Sequence, residues 1–247
     1  MNKLAVLAFA LLLFFSTMLW YLASGSLNDY LKSQIQLQGH YYSGQKTTIA
    51  LTDYSANTGT AQFKQLNLAN ASNYHTQHAL IIDEVRVEVS PQQPPYIVTQ
   101  VNKITINNLS INIEQKIGSN SNIDQLIDHI SLKLANDYPE QYPAISAKIY
   151  AAKNPTLNAE QYAQNNPQAG PMIEHTSPKK KRGKPQSKII ISAITIKTLT
   201  LNTIQGDAID TIQKHNIDIT AIGGSAGFVS NQLGGELLLT FLSLANQ

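Results

Sequence analysis

Hydrophobic positions divide the chain into one continuous apolar stretch at its start and shorter periodic segments after it. The continuous stretch, Leu4–Ser24, is 21 residues long and carries no charge. As a helix it would be about 31 Å long, close to the roughly 30 Å hydrocarbon core of a bilayer. Lys3 precedes it, and Trp20 and Tyr21 lie near its far end, where amphipathic rings favour the membrane interface. The pattern predicts a single-pass anchor over residues 1–25 with a cytoplasmic N terminus.

A cleaved signal peptide is the alternative interpretation of this stretch. Ala23-Ser24-Gly25 offers small residues at the spacing of a cleavage site. The stretch is longer than the about 7–15 apolar residues of an ordinary signal peptide, and it carries Phe14 and Phe15. Both interpretations export the rest of the chain.

After the anchor the pattern changes from helical spacing to alternation. Ser26–Gln38 carries apolar residues at helical spacing. Alternating segments then predict strands at Lys46–Tyr54, Gly59–Ala69 and Ala79–Ser90. In the third strand one apolar face is predicted, interrupted by Asp83. Its members are Ile81, Val85, Val87 and Val89.

A shift in the alternation marks the longest extended run, Tyr96–Ile117. Its first isoleucines fall at even positions and its later apolar residues at odd ones, so one residue is inserted at Asn107-Asn108. Only a β-bulge or bend would keep both sets on one face. Residues 104–115 also align without gaps on residues 194–205, where the shift recurs. Internal duplication and the general likeness of Ile/Thr-rich strands both remain open as explanations.

The remaining elements complete one domain. A helix is predicted at Ile123–Ala135, with an apolar stripe that includes Leu126, Ile127, Ile130 and Leu134. Further strands are predicted at Lys188–Ile204 and Asn216–Ile222, followed by a helix at about Val229–Ala245. The apolar face of that helix is Val229, Leu233, Leu237, Phe241 and Leu244.

Asp137–Ser187 differs in composition from the rest of the chain. It holds seven of the ten prolines and is rich in Gln and Asn, which predicts a mostly disordered insertion. Residues 26–136 and 188–247 would then form a single domain. The predicted fold class is α+β: an N-terminal transmembrane helix, then a twisted, mainly antiparallel sheet with packing helices.

Composition excludes several classes of function. Only 14% of residues are charged and the net charge is +2, so no global field indicates nucleic acid as a partner. Cysteine is absent, which excludes disulfides, thiolate metal sites and a cysteine nucleophile.

Three motifs contain residue types that can form chemical sites. His75-x-x-His78 lies in a polar loop without a third ligand nearby in the sequence, Asp207 and Asp210 are interpreted as turn residues, and Gly223–Gly227 lacks the lysine of a phosphate-binding loop. We therefore predict a non-enzymatic protein without catalytic, metal-binding or cofactor-binding residues.

A cluster of basic residues is the strongest charged motif. It consists of Lys179, Lys180, Lys181, Arg182 and Lys184. In an exported domain such a cluster is suited to anionic lipid headgroups. A solvated charge run in a flexible loop is the alternative.

The order of these segments resembles a known family. The segments that carry the resemblance are the N-terminal anchor, Leu27–Ile35, Gly59–Asn70, Ile82–Val89, Ile104–Glu114, Gly118–Leu126, Asn216–Gly223 and the C-terminal helix. In this order they resemble a small member of the AsmA-like superfamily of bacterial envelope proteins. The resemblance covers nearly the whole chain apart from the Pro-rich insertion.

The resemblance implies a location in the bacterial inner membrane, with the C-terminal domain in the periplasm. It also implies lipid handling or outer-membrane homeostasis, with phospholipid and other envelope proteins as partners. The candidate lipid-groove residues lie on the two similar strands: Ile104, Ile106, Leu109, Ile111, Ile194, Ile196, Leu199 and Leu201. The alternative is a periplasmic scaffold or assembly factor, for which the same apolar face is only a core.

Overall fold

Strands from two parts of the chain, residues 47–114 and residues 188–229, form one sheet. The structure, a computed structural model, describes residues 27–90, 98–116, 118, 120–146, 149, 188–206, 208–223 and 227–246. The elements in chain order are α1 (27–43), β1 (Thr47–Ser55), β2 (Thr60–Ala69), β3 (His78–Val89), β4 (Val98–Glu114), α2 (Asn122–Asp137), β5 (Lys188–Gln205), β6 (Ala208–Ile222), β7 (Phe228–Val229), α3 (Ser230–Ser243) and a 3-10 turn at Leu244–Asn246.

The strands are ordered β1-β2-β3-β4-β5-β6, and β7 pairs with the first residues of β5. All neighbours are antiparallel except β4 and β5, which are parallel. Since parallel neighbours need a crossover connection, α2 lies between them in the chain. The predicted α+β class, with a twisted, mainly antiparallel sheet and packing helices, is confirmed.

The predicted membrane anchor, Leu4–Ser24, lies outside the described residues. From residue 27 onwards, no helix in the described ranges is both long and apolar enough to cross a membrane.

The two similar sequence segments lie side by side in the sheet. Ile104 pairs with Ile194 and Glu114 with Ile204, the same 90-residue offset as the ungapped alignment (194 − 104 = 204 − 114 = 90). Like side chains therefore neighbour each other along the parallel pair, and the Nδ2 atom of Asn202 donates to Oδ1 of Asn112 at 2.9 Å. The shared pattern keeps both strands apolar beneath the same layer of helices.

The shift predicted at Asn107-Asn108 extends across the sheet. Around this shift the pairing is interrupted in each of β1 to β6 while the register is kept, at Ala50, Gln65, Asp83, Asn107, Lys197 and Asn216, and between β3 and β4 the interruption also includes Glu84 and Asn108. Two of these residues, Gln65 and Asn216, have φ of 53°. Apolar residues at even positions before the shift and at odd positions after it, as in β4 and β5, therefore lie on the same face of the sheet.

This shift corrects the predicted face of β3. Leu80 and Ile82 are 0% and 2% exposed and pair with buried residues of β4, whereas Ile81 lies on the opposite face. Because the skipped position is Asp83, the alternation changes parity in the middle of the strand. The prediction that Ile81 shares a face with Val85 is wrong.

Helices α2 and α3 cover the apolar face of the sheet. Ser121 begins α2 with a capping box, in which its Oγ atom accepts from the Asp124 backbone N–H at 3.1 Å. The fully buried part of the predicted α2 stripe is confirmed: Ile123, Leu126, Ile130 and Leu134.

Helix α3 is rotated relative to the predicted face. Phe241 and Leu244 of the predicted face are buried, Leu233 and Leu237 are only partly buried, and Leu238 and Leu242 are buried in addition. Gly235 explains the rotation, since a Cβ atom there would lie 2.9 Å from side-chain atoms of both Leu134 and Tyr42. The missing side chain lets α3 approach α1 and α2 closely.

The predicted start of β6 also differs from the structure. β6 begins at Ala208 rather than Asn216, so Asp210 lies in a strand rather than a turn, while Asp207 is outside the described residues. The residues over 208–213 are all exposed and give no alternation of burial.

The start of the predicted insertion belongs to the folded domain. Tyr138 and Tyr142 pack against the core, and the Oγ atom of Ser146 donates to the Ala135 carbonyl at 3.0 Å. These contacts make residues 138–146 part of the folded domain, and most of residues 147–187 lie outside the described ranges.

Candidate functional site

The eight strand residues predicted to line a lipid groove lie beneath the helices. Their exposed fractions run from 0% to 6%: Ile104, Ile106, Leu109, Ile111, Ile194, Ile196, Leu199 and Leu201. All eight belong to the hydrophobic core together with α2 and α3. Ile104 additionally borders the cavity described next.

An apolar cavity of about 210 Å³ lies between α1, α3 and strands β1 to β4. α1 contributes Ile35, Gln38 and Gly39. The other walls are Thr47, Phe63, Leu66, Leu80, Ile82, Val85, Val87 and Ile104 from the strands, and Leu233, Gly234, Leu237, Leu238 and Phe241 from α3. Gln38 and Thr47 supply the polar side chains of an otherwise apolar lining.

The cavity reaches the surface on one side. Its base is formed by the buried side chains of Leu80, Ile82 and Phe241. Val85 and Leu237 are only partly buried and lie nearer the solvent. The space is therefore a pocket with an apolar floor rather than a sealed void.

Close contacts hold α1 as one wall of this cavity. Gly39 packs so tightly on β1 that a Cβ atom there would lie 2.3 Å from the Oγ1 atom of Thr47. Along the outer edge of β1, Asn28 Oδ1 accepts from the Tyr54 backbone N–H at 3.0 Å and Lys32 Nζ donates to the Ala50 carbonyl at 3.2 Å. These bonds fix the helix against the strand and cover the β1 edge.

A cleft of about 890 Å³ with a mixed polar and apolar lining lies between the end of α1, the segment after α2 and the start of α3. The hydroxyl of Tyr41 donates to Asp137 at 2.9 Å, and the ammonium of Lys133 lies 4.2 Å from the centre of the Tyr41 ring. The hydroxyl of Tyr42, which is 1% exposed, donates to the Asn231 carbonyl at 2.9 Å.

Glu236 lies close to residues of this cleft on α3. It accepts hydrogen bonds from Tyr142 and, at 2.8 Å, from Gln232. Burial raises the pKa of Glu236 to about 7. Tyr142 belongs to the segment after α2, so these bonds tie that segment to α3.

A buried carboxylate at the end of β4 organises the loop before β3. Glu114, the last residue of β4, is 3% exposed. Its oxygens accept from the backbone N–H of His75 at 2.8 and 3.0 Å, from His75 Nδ1 at 3.0 Å, and from the N–H and hydroxyl of Thr76, both at 3.1 Å. Burial acts to raise the pKa of Glu114, but these hydrogen bonds outweigh it and hold the pKa below its usual range.

The predicted His75-x-x-His78 loop pair is thus part of a structural network. The side chain of His75 is 88% exposed and contacts Glu114, and His78 begins β3. Within the described part of the chain, no group of three or more His, Asp or Glu side chains is arranged to hold a metal ion. Sequence reasoning missed Glu114 because its partners lie 38 and 39 residues earlier in the chain.

The anionic-surface candidates Lys179, Lys180, Lys181, Arg182 and Lys184 lie outside the described residues. So does most of the glycine turn, from residue 224 to 226.

Comparison with known proteins gives no further guide to this site. No protein-family model matches the sequence, and no curated protein matches it.

Proposed function

We propose that the protein is a non-enzymatic, single-pass protein of the bacterial inner membrane whose periplasmic domain binds one acyl chain of a lipid. The acyl chain occupies the cavity between α1, α3 and strands β1 to β4. The cavity carries this proposal, because its lining is almost entirely apolar and one side reaches the surface. The resemblance to AsmA-like envelope proteins supports the same assignment.

The size of the cavity indicates how much lipid it accepts. An apolar cavity of about 150 Å³ is enough to bind benzene, whereas pockets for drug-sized ligands start at roughly 300 Å³. At about 210 Å³ the space fits part of one acyl chain, with the headgroup and the second chain outside. Each methylene removed from water contributes about 0.8 kcal/mol, so about five would contribute roughly 4 kcal/mol.

The position of α1 supports access from a membrane. The described part of α1 begins at residue 27, directly after the predicted anchor over residues 1–25. Ile35 is eight residues further along, about 12 Å at the rise of an α-helix. An acyl chain leaving the outer leaflet next to the anchor would therefore meet the cavity wall within a short distance.

A scaffold or assembly role is the second candidate, and one observation favours it. All eight predicted groove residues are buried in the core, and only Ile104 among them borders the cavity. If the cavity holds no lipid, the whole apolar face serves stability alone.

Lipid analysis of the purified protein tests the proposal. The full-length protein is extracted in mild detergent, and bound lipid is quantified by mass spectrometry. We expect about one lipid per chain in the wild type. Leu237→Trp, which fills the cavity from α3, should remove that lipid while the thermal transition is retained.

Leu132→Trp is the matched control, because Leu132 is a helical leucine that is 49% exposed on α2. It should keep the lipid. Equal lipid content in all three proteins, or none in a folded wild type, would contradict the proposal and favour the scaffold.

A further inference from the structure

The stretch of chain that connects α2 to β5 begins and ends beside the cleft of about 890 Å³. On the side of α2, residues 137–141 line the cleft, and the folded segment after them continues to residue 146. On the side of β5, Lys188 pairs with Val229, and Asn231 of α3 lines the cleft two residues further on. Residues 147–187 are therefore tethered beside the cleft at both ends.

The tether on the side of β5 is short enough to bring basic residues to the cleft. Paired Cα atoms in antiparallel strands are about 4.5–5.5 Å apart, and two residues of chain span at most about 7 Å. The Cα atom of Lys188 consequently lies within about 13 Å of that of Asn231. Lys184 is four residues before Lys188, and four residues span up to about 14 Å. Lys184 can therefore reach the edge of the cleft, and residues 179–182 can extend along it.

Charge is divided unequally between this stretch and the rest of the chain. Residues 147–187 contain seven lysines and arginines and two glutamates, a net charge of +5. The whole chain has a net charge of +2, so the other residues together carry −3 (2 − 5 = −3). Five of the seven basic residues form the basic cluster, which is Lys179, Lys180, Lys181, Arg182 and Lys184. The opposite net charges of the two parts favour their contact.

The described lining of the cleft suits basic side chains. It contains two carboxylates, Asp137 and Glu140, and neither lysine nor arginine. It also contains Tyr41 and Tyr138, and tyrosine rings attract ammonium and guanidinium groups. One such contact is present in the structure: the ammonium of Lys133, which lies outside this lining, is 4.2 Å from the centre of the Tyr41 ring. Carboxylates and aromatic rings together therefore make the cleft complementary to a basic segment.

We propose that the basic cluster of the same chain docks in this cleft, where its ammonium and guanidinium groups contact Asp137 and Glu140. The length of the tether and the opposite charges select this segment over a separate protein. Exposed ion pairs are individually weak, but a segment of the same chain is present at roughly millimolar effective concentration. The docked state is therefore reversible and salt-dependent, with little effect on the melting temperature. Because Gln38 lines both the cleft and the apolar cavity, the docked cluster lies beside the proposed lipid site, although docking does not depend on lipid.

Limited proteolysis of the full-length protein in mild detergent tests the contact. Trypsin cuts after lysine and arginine, and Lys153 is an internal control because it lies in the same stretch but outside the basic cluster. The variant Asp137→Asn/Glu140→Gln removes both negative charges and keeps an oxygen acceptor for the Tyr41 hydroxyl. At low salt, cutting after residues 179–182 should be about tenfold slower in the wild type than in this variant, because two exposed ion pairs together favour the docked state by about that factor. Cutting after Lys153 should be equal in both proteins.

Asp53→Asn/Asp128→Asn is the matched control, because it removes two exposed carboxylates that do not line the cleft. This protein should be cut after residues 179–182 as slowly as the wild type. All of these proteins should keep the melting temperature of the wild type, so that a difference in cutting reports the cluster and not unfolding.

Disulfide formation locates the docked cluster, since the natural chain has no cysteine. Leu37→Cys places a thiol in the cleft lining at an exposed position, and Gly183→Cys places one within the cluster without removing a charge. Under mild oxidation this pair should close about tenfold faster than the same pair with Asp137→Asn/Glu140→Gln added, and high salt should remove the difference. Equal rates of cutting or closure with and without the two carboxylates would overturn the proposal. Protection of the cluster that occurs only with anionic lipid would also overturn it and would assign the cluster to a membrane surface.

Discussion

Glu114→Gln should destabilise the domain, because the Glu114 carboxylate holds the loop over residues 70–77. The substitution keeps the size of the side chain but turns one acceptor oxygen into an NH₂ group. That group would face N–H donors of His75 and Thr76, whose hydrogen bonds now measure 2.8–3.1 Å. Hydrogen bonds to charged groups contribute about 1.5–3 kcal/mol, and a buried donor without an acceptor costs about 1–3 kcal/mol.

The expected loss is therefore about 2–4 kcal/mol in the free energy of unfolding at neutral pH. For a domain of this size that corresponds to a fall of roughly 4–16 °C in melting temperature. Thermal unfolding of the full-length protein followed by circular dichroism measures it. Glu140→Gln, at an exposed position after α2, is the control and should change the melting temperature little.

Acid should remove the difference between Glu114→Gln and the wild type. The pKa of Glu114 is lower in the folded state than the ordinary 4.5, so its contribution is fully present above about pH 4.5. It is lost as pH falls through the folded-state pKa. A Glu114→Gln protein as stable as the wild type at pH 7, or a difference that grows in acid, would refute the assigned role.

Three further predictions follow from burial. Leu199→Asp should unfold the domain, because an unpaired buried carboxylate costs several kcal/mol. Ile212→Asp, at a half-exposed position, should be tolerated. A folded Leu199→Asp protein would show that the core is open. Glu236→Gln should gain stability relative to the wild type as pH rises from about 4.5 to about 7, because the raised pKa of Glu236 makes its ionisation unfavourable in the folded state. Urea unfolding at a series of pH values measures this, and parallel pH profiles of the two proteins would contradict it. Replacing residues 151–186 by a Gly/Ser linker should keep the melting temperature. Extending the replacement back to residue 139 should lower the melting temperature, because the Tyr142 and Ser146 contacts are lost. Equal melting temperatures of the two variants would place the domain boundary earlier.

Sequence patterns predicted the elements whose burial follows a simple period. The stripe of α2 from Ile123 to Leu134 needed only helical spacing. The 90-residue offset between the similar strands became the register of β4 and β5, because like patterns pack beneath the same helices. Ile81 was misplaced because a one-residue shift reverses every side chain beyond it, and the signal for that shift in β3 is a single Asp83.

Sequence patterns did not predict the features that combine distant segments of the chain. The cavity combines α1, α3 and four strands, and Gly39 and Gly234 belong to its lining. Neither glycine carries a periodic signal. The Glu114 network likewise joins the end of β4 to a loop before β3, and no local spacing in the sequence indicates that contact.

Photo-crosslinking in native membranes tests the proposed lipid site most directly. A diazirine amino acid of about the size of leucine is placed at Leu237 in the cavity or at exposed Leu132 on α2, the full-length protein is irradiated in cells, and the intact mass of the purified chain is measured. We predict a phospholipid-sized adduct at position 237 and none at position 132. An unmodified mass at position 237, or equal adducts at both positions, would contradict acyl-chain binding in the cavity.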